Sequence, residues 1–244
     1  MSLSKVALVT GGSKDIGAGI VRRLSADGFA VAINYSKNPE PAEALVAELK
    51  EAGGRSFAIK CNVANSDDVT HMFNSIENEL GPINILINNA GIMINAPVAQ
   101  SEEVHFDEQI AVNLKGTFNT LKQAANRMPN GGRIVNISTS VVGLKLESYG
   151  IYAATKSAVE TLSAILSKEL RGREITVNTV APGPTGTDLF LNGKSQEVID
   201  RLANMSPLER LGTPEDIANA VAFLVGPDGA WINGQVLRAN GGLI

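Results

Sequence analysis

The sequence predicts a doubly wound α/β domain, a single unit over residues 1–244 with one seven-stranded parallel sheet and helices on both faces. Three observations predict it. Short β-branched runs alternate with longer helical patterns along the whole chain, the order that right-handed β-α-β crossovers produce. Most of the runs are apolar throughout rather than every second residue, as strands covered on both faces must be. No linker, repeat or low-complexity tract divides the chain.

The candidate strands, in order, are "KVALVT" (5–10), "AVAINY" (30–35), "SFAIKC" (56–61), "INILIN" (83–88), "RIVNIS" (133–138), "ITVNTV" (175–180) and "GQVLRA" (234–239). Between them, helical periodicity covers about 16–27, 40–52, 66–80, 102–128, 152–171 and 214–225. Within 154–170, Ala158, Leu162, Ile165, Leu166 and Leu170 fall on one stripe, with Lys168 and Glu169 outside it. Hydrophobic residues make up 44% of the chain and charged ones 19%, enough for a sizeable core. A net charge of −4 gives no global reason to expect nucleic acid or an anionic membrane as partner. The single cysteine, Cys61, rules out an internal disulfide framework and fits a reducing compartment. No apolar run approaches the ~20 residues that span a bilayer. The first strand starts too near Met1 to leave room for a signal peptide, so a cytoplasmic location is expected.

The stretch "VALVTGGSKDIGAGI" (6–20) runs from strand through glycines into helix. The general G-x-G-x-x-G spacing fails, because Arg22 stands where its third glycine belongs. The variant T-G-x-x-x-G-x-G fits with Thr10, Gly11 and Gly17, Asp15 replacing the middle glycine. Gly11 and Gly12 let the backbone turn sharply and approach a phosphate, and free N–H groups at the helix start attract a pyrophosphate. Asp15 can instead act as an N-cap, provided its carboxylate turns outward from the phosphates. The second strand ends Asn34-Tyr35-Ser36-Lys37, without the carboxylate that would bind a ribose 2′-hydroxyl and repel a 2′-phosphate. Lys14, Ser36 and Lys37 can meet that phosphate, so NADPH is expected over NAD(H).

"YAATK" places Tyr152 and Lys156 four apart on one helix face. An ammonium there should lower the phenol's pKa, and a phenol so tuned can protonate a carbonyl oxygen as hydride arrives at carbon. His71 and His105 have no metal-ligand partner at useful spacing, and Trp231 reads as core or interface.

The ordered set "VTGGSKDIG", "NNAG" (88–91), "VNLKGTF" (112–118), "IVNISTSVVG" (134–143), "YAATK", "VNTVAPGPTGTDLF" (177–190) and "GQVLRANGG" (234–242) resembles the short-chain dehydrogenase/reductases over essentially the whole chain. The resemblance implies a Rossmann fold, with Tyr152 as acid/base and Lys156 holding the nicotinamide ribose and depressing the tyrosine pKa. It implies that Asn113 helps keep a water relay, and that Ser140 or Thr139 donates to the substrate carbonyl. The S-x-x-G pattern favours Ser140, while counting along the strand without a gap gives Thr139. The implied cofactor set is Gly11, Ser13, Lys14, Asp15 and Ile16; Tyr35 and Ser36; Asn62 and Val63; Asn89, Ala90 and Gly91; Pro182, Gly183, Thr185 and Thr187; and Tyr152 with Lys156. Asn62 stands where an aspartate is usual near the adenine. "RANGG" stands where an aspartate often precedes the glycines, and Asn240 is expected only to form a turn.

The branch with 3-oxoacyl-(acyl-carrier-protein) reductases and naphthol reductases is the nearest in motif, implying an NADPH-dependent carbonyl reductase for a ketone or an acyl thioester. An NAD-linked dehydrogenase of alcohols or sugars, or a non-catalytic dinucleotide sensor, are the alternatives; intact Tyr152, Lys156 and Asn113 argue for an enzyme. Residues 188–206 are expected to form a lid, with Leu189, Phe190 and Leu191 as its apolar wall. An acidic carrier-protein partner would need bases by the entrance, for which Arg171 and Arg173 are the candidates. The resemblance also implies a homotetramer built from helices 102–128 and 152–171 and the last strand.

Overall fold

A computed structural model describes residues 4–244, apart from the Leu189 side chain. The strands are β1 (Val6–Thr10), β2 (Ala30–Tyr35), β3 (Ser56–Lys60), β4 (Ile83–Asn88), β5 (Arg133–Ile137), β6 (Thr176–Pro182) and β7 (Val236–Ala239). They form one sheet in the order β3-β2-β1-β4-β5-β6-β7, every pair parallel. The predicted strands are all present, two with the expected bounds and the others with ends shifted by at most two residues. Chain direction across the sheet reverses between β1 and β4, which opens a crevice at their carboxyl ends.

The continuous apolar runs follow from burial on both faces. Ala7, Val9, Val31, Ile33, Ile85 and Ile87 point into one core with α1 (Asp15–Ala26), α2 (Glu40–Glu51) and α10 (Pro214–Val225). Their neighbours Val6, Leu8, Ala30, Ala32 and Leu86 point into the other, against α3 (Ser66–Glu79), α5 (Gly116–Arg127) and α7 (Gly150–Glu169). Glycine at 19 lets α1 lie close against α10, where a Cβ would crowd Pro214 at 3.0 Å.

The predicted 102–128 helix is three pieces end to end: α4 (Glu103–Gln109), a π-helical turn (Ile110–Lys115) and α5. Between β5 and α7 lies a short α6 (Val141–Leu144), and after β6 come α8 (Asp188–Leu191) and α9 (Gln196–Asn204). A chain of buried side chains crosses the sheet: Thr120 donates to Asn88 (2.7 Å), Asn88 to Asn136 (2.8 Å), and Asn136 to Ser163 (2.7 Å). Trp231 is 99% exposed, which excludes the core from the two places expected for it, and Ile165, on one stripe with the packed residues of α7, is 48% exposed. No helix among the described residues is long and apolar enough to cross a membrane.

Candidate active site

The glycine loop after β1 is held by two asparagines. Asn34, in the middle of an apolar strand run, accepts from the Gly11 N–H (3.1 Å) and donates to the Cys61 carbonyl (3.1 Å). Asn89 donates to the carbonyls of Thr10 (3.1 Å) and Gly11 (2.9 Å), while Thr10 Oγ1 accepts from the N–H groups of Asn89 and Ala90. Gly17 has no room for a side chain: a Cβ would lie 2.2 Å from the Gly11 carbonyl oxygen.

Asp15 does not cap α1. Lys14 occupies the N-cap position with no side-chain cap bond, and Asp15 adopts φ +50°, the left-handed conformation that makes glycine usual at this point. Its carboxylate reaches across the crevice and accepts from the Asp188 N–H at 3.1 Å, joining the loop to the start of α8. Asp15→Gly removes both the unfavourable φ, worth about 1 kcal/mol, and this bond. The melting temperature should therefore hold or rise slightly, cofactor affinity should stay equal or improve, and amide exchange at 188–191 should quicken. A large loss of cofactor affinity in a fluorescence titration would show that the carboxylate has a positive role in binding.

Gly11, Ser13, Lys14, Tyr35, Ser36, Asn62 and Val63 gather at the adjacent carboxyl ends of β1, β2 and β3. Lys14, Ser36, Lys37 and Asn62 are exposed there, and neither lysine is ion-paired among the described residues. Asn62 Oδ1 accepts from the Ala64 N–H (3.1 Å), which leaves its NH₂ group free to donate outward. Val63 is buried behind Gly116, and its carbonyl accepts from Asn119.

A second group encloses a cavity of ≈ 160 Å³ past the ends of β4, β5 and β6. Its lining includes Ile16, Asn89, Gly91, Thr139, Ser140, Tyr152, Lys156, Pro182, Gly183, Thr185 and Thr187 from the expected set. It also includes residues that the motifs do not mark, among them Met93, Tyr149, Leu202, Met205 and Leu243. Of the three apolar residues expected in the 188–206 wall, Phe190 lines the cavity, Leu191 does not, and the Leu189 side chain lies outside the described residues.

Tyr152 and Lys156 sit in the first turns of α7, the ammonium nitrogen 5.8 Å from the centre of the phenol ring. Lys156 is buried and donates to the Ile137 carbonyl (2.8 Å) rather than to the phenol. Burial lowers its pKa to about 8. The expected acidification of Tyr152 is reversed: burial, with a smaller contribution from Tyr149, pushes the phenol up to about 12. Withdrawing the phenolate from water costs more here than an ammonium so placed returns. At neutral pH the group is a phenol with its proton in place.

Asn113 lies in the π-helical turn and is fully buried. Its side chain accepts from the Ile92 N–H (2.8 Å) and donates to the Ile92 carbonyl (2.9 Å), and Gln109 bonds both main-chain groups of Ile94 in the same way. Asn113 Oδ1 and Lys156 Nζ come within 3.3 and 3.4 Å of the point that a Gly91 Cβ would occupy. A side chain at Gly91 would press on both groups.

Ser140 is 2% exposed and its hydroxyl is fully engaged: it donates to the Ala181 carbonyl (3.2 Å) and accepts from Asn240 (2.9 Å). Asn240 therefore does more than form a turn. Thr139, half-buried on the cavity wall, accepts from the Val141 N–H (3.3 Å), and its proton has no acceptor among the described residues. Thr187 spends its hydroxyl on capping α8, accepting from the Phe190 N–H. Arg171 and Arg173 lie beyond the far end of α7, separated from Tyr152 by roughly 25 Å of helix in one copy of the chain. The Arg173 guanidinium is already bonded to the Ala125 and Met128 carbonyls. These arginines do not flank the entrance.

Comparison with known proteins agrees with this layout. A family model described as enoyl-(acyl carrier protein) reductase matches residues 11–244. A short-chain type dehydrogenase/reductase of Picea abies is 40% identical over 98% of this chain and 92% of its own length. An NADPH-dependent aldehyde reductase-like protein, chloroplastic, of Arabidopsis thaliana is 38% identical over 98% and 94%. The 3-oxoacyl-(acyl-carrier-protein) reductase FabG of Staphylococcus aureus is 39% identical over 100% and 99%. Among solved structures, a dehydrogenase/reductase from Sinorhizobium meliloti superposes with a TM-score of 0.94 at 35% identity, covering 99% of this chain and 95% of that one. A short chain dehydrogenase from Burkholderia cenocepacia in complex with NADP gives 0.93 at 35%, covering 99% and 98%. With its reversed sheet order, glycine loop and adjoining Tyr-Lys cavity, the chain belongs to the short-chain dehydrogenase/reductase family of NAD(P)-dependent oxidoreductases.

Proposed function

We propose that the protein is an NADP(H)-dependent carbonyl reductase acting on an aldehyde or ketone. The observation that carries this reading is the protonated phenol of Tyr152 in a mainly apolar cavity beside the glycine-loop crevice. Such a group is a poor base for oxidising an alcohol and a ready donor to an alkoxide forming from a carbonyl, since an alkoxide is far more basic than a phenolate.

The crevice residues fit the cofactor. The N–H groups of the first turn of α1, which have no intrahelical acceptors, would hold the pyrophosphate close over Gly11, and Lys14, Ser36 and Lys37 would hold the 2′-phosphate. Asn62 meets the adenine, Lys156 the nicotinamide ribose, and Asn113 orders the strand end against Lys156. NADPH supplies a hydride when bound. The Arabidopsis relative, an NADPH-dependent reductase-like protein, and the Burkholderia structure, a complex with NADP, support the phosphorylated form, as does the absence of a carboxylate at the end of β2.

Thr139, rather than Ser140, donates to the substrate oxygen, because its proton is uncommitted. Thr139→Ala should lower kcat about a hundredfold with little change in stability. Ser140→Ala should instead cost roughly 1 kcal/mol of stability, by stranding the Asn240 amide, with a smaller effect on rate. The opposite pattern in paired melts and steady-state rates would return the role to Ser140.

Residues 188–206 act as a lid through Phe190, Leu202 and Met205 on the cavity wall. Phe106, Phe118 and Ile165 on the long helices, and Phe223, Trp231 and Leu237 near the β7 edge, are exposed apolar side chains that pairing of copies into a homotetramer would cover. Sedimentation of the purified chain tests that assembly. The test of the activity is oxidation of NADPH and NADH, followed by absorbance, with a panel of aldehydes and ketones. NADPH should be consumed in preference to NADH; tight cofactor binding with no turnover on any carbonyl would favour a dinucleotide sensor.

A further inference from the structure

The hydroxyl groups of the cavity can be accounted for one by one. Ser138 donates to Glu160 (2.6 Å), Ser140 to the Ala181 carbonyl, Thr185 to the Gly183 carbonyl (2.9 Å) and Thr187 to the Thr185 carbonyl (3.4 Å). Three protons remain without an acceptor among the described residues: those of Thr139, Tyr152 and Tyr149. The first two suffice for the oxygen being reduced. Tyr149 ends the loop before α7, three residues before Tyr152, with its backbone carbonyl accepting from the Ala153 N–H (2.8 Å), so its position is fixed by the same helix turn. Elsewhere the wall is apolar, through Met93, Leu144, Leu146, Phe190 and Leu202, and among the described residues Lys156 is the only charged side chain that lines it.

We infer that Tyr149 donates to a second, uncharged oxygen of the substrate, so that the preferred carbonyl compound carries a carbonyl, hydroxyl or ester oxygen one or two carbons from the reacting carbon on an otherwise apolar frame. This rests on the carbonyl-reductase reading. A phenol three residues from Tyr152 stands beside the reacting group, and the Lys194 ammonium, over the outer wall residue Phe190, is spent on that residue's carbonyl. A fixed phenol with a free proton on an apolar wall rewards an acceptor that arrives at that point and rejects an analogue that leaves it unpaired.

The experiment compares wild type with Tyr149→Phe on matched substrates, 1-phenylpropane-1,2-dione against propiophenone, with NADPH as reductant. Tyr149→Phe should lower kcat/KM for the dione about tenfold and leave that for propiophenone within twofold. Equal losses on both substrates, or none on either, would overturn the role of Tyr149 while leaving the reductase reading intact. If wild type consumes NADPH with neither compound nor with any other carbonyl of the panel, both readings fall together. Tyr149→Ala, opening the wall, should lose rate on both substrates; no loss on either would show that Tyr149 does not contact the substrate.

Discussion

Tyr152→Phe is expected to reduce turnover about a thousandfold, the contribution of one positioned proton donor. Three properties should remain. The ring keeps its packing, and the lost hydroxyl has no protein partner among the described residues, so the melting temperature should move by no more than a degree or two. NADPH affinity should be unchanged, because the loop, Lys156 and Asn62 are untouched. Steady-state rates, a fluorescence titration and a thermal melt on the same preparation check all three. Turnover within tenfold of wild type would mean that another group supplies the proton, Thr139 and Tyr149 being the alternatives on the wall. With the phenol pushed up to about 12, any loss of reduction between pH 8 and 10 reports Lys156 rather than Tyr152.

Lys156→Met should abolish most activity and stabilise the protein. The sign follows from linkage. Burial lowers the Lys156 pKa from 10.5 to about 8, so between these values the unfolded chain binds more protons than the folded one. This group's contribution to stability therefore rises as pH climbs through that window and is at its most unfavourable below pH 8. At pH 7 the buried ammonium costs about 3 kcal/mol, partly offset by its bond to the Ile137 carbonyl. Methionine of similar length should thus raise stability by roughly 2 kcal/mol at pH 7, or about 4–8 °C in Tm, with the gain shrinking as pH climbs from about 8 and gone above 10.5. Wild-type reduction should begin to fall near pH 8 as Lys156 loses its proton. A lower Tm for the variant at pH 7, or a gain that does not change with pH, would show that the ammonium is not held against a burial cost.

The strands were legible because burial on both faces writes itself as an unbroken apolar run, and Tyr152 and Lys156 because four residues of helix bring two side chains to one face. The failures share a cause: each depended on where a short-range hydrogen bond goes. Ser140 and Thr139 are equal as residue types, and only the neighbouring Asn240 and Ala181, remote in sequence, show whose proton is taken. Asp15 is a good N-cap by composition, but its backbone φ and the distant Asp188 decide otherwise. Arg173 is a plausible surface base until the Ala125 and Met128 carbonyls claim it. Asn34 had a signal, a lone amide inside an apolar strand, which could have been read as a tie to a neighbouring loop.

The hydrogen-bonded relay from Thr120 through Asn88 and Asn136 to Ser163 has a consequence for how the reaction geometry is kept. Strands greasy on both sides carry little information about their own alignment, because sliding one past the next by a single step exchanges one oily face for another. The paired amides of β4 and β5 supply what the oily faces cannot, since any such slip would strand them in the dry interior. That single alignment sets how far Thr139, just past the end of β5, stands from Gly91, just past the end of β4. The spacing of the reacting groups is thus determined by a pair of side chains that no substrate ever meets.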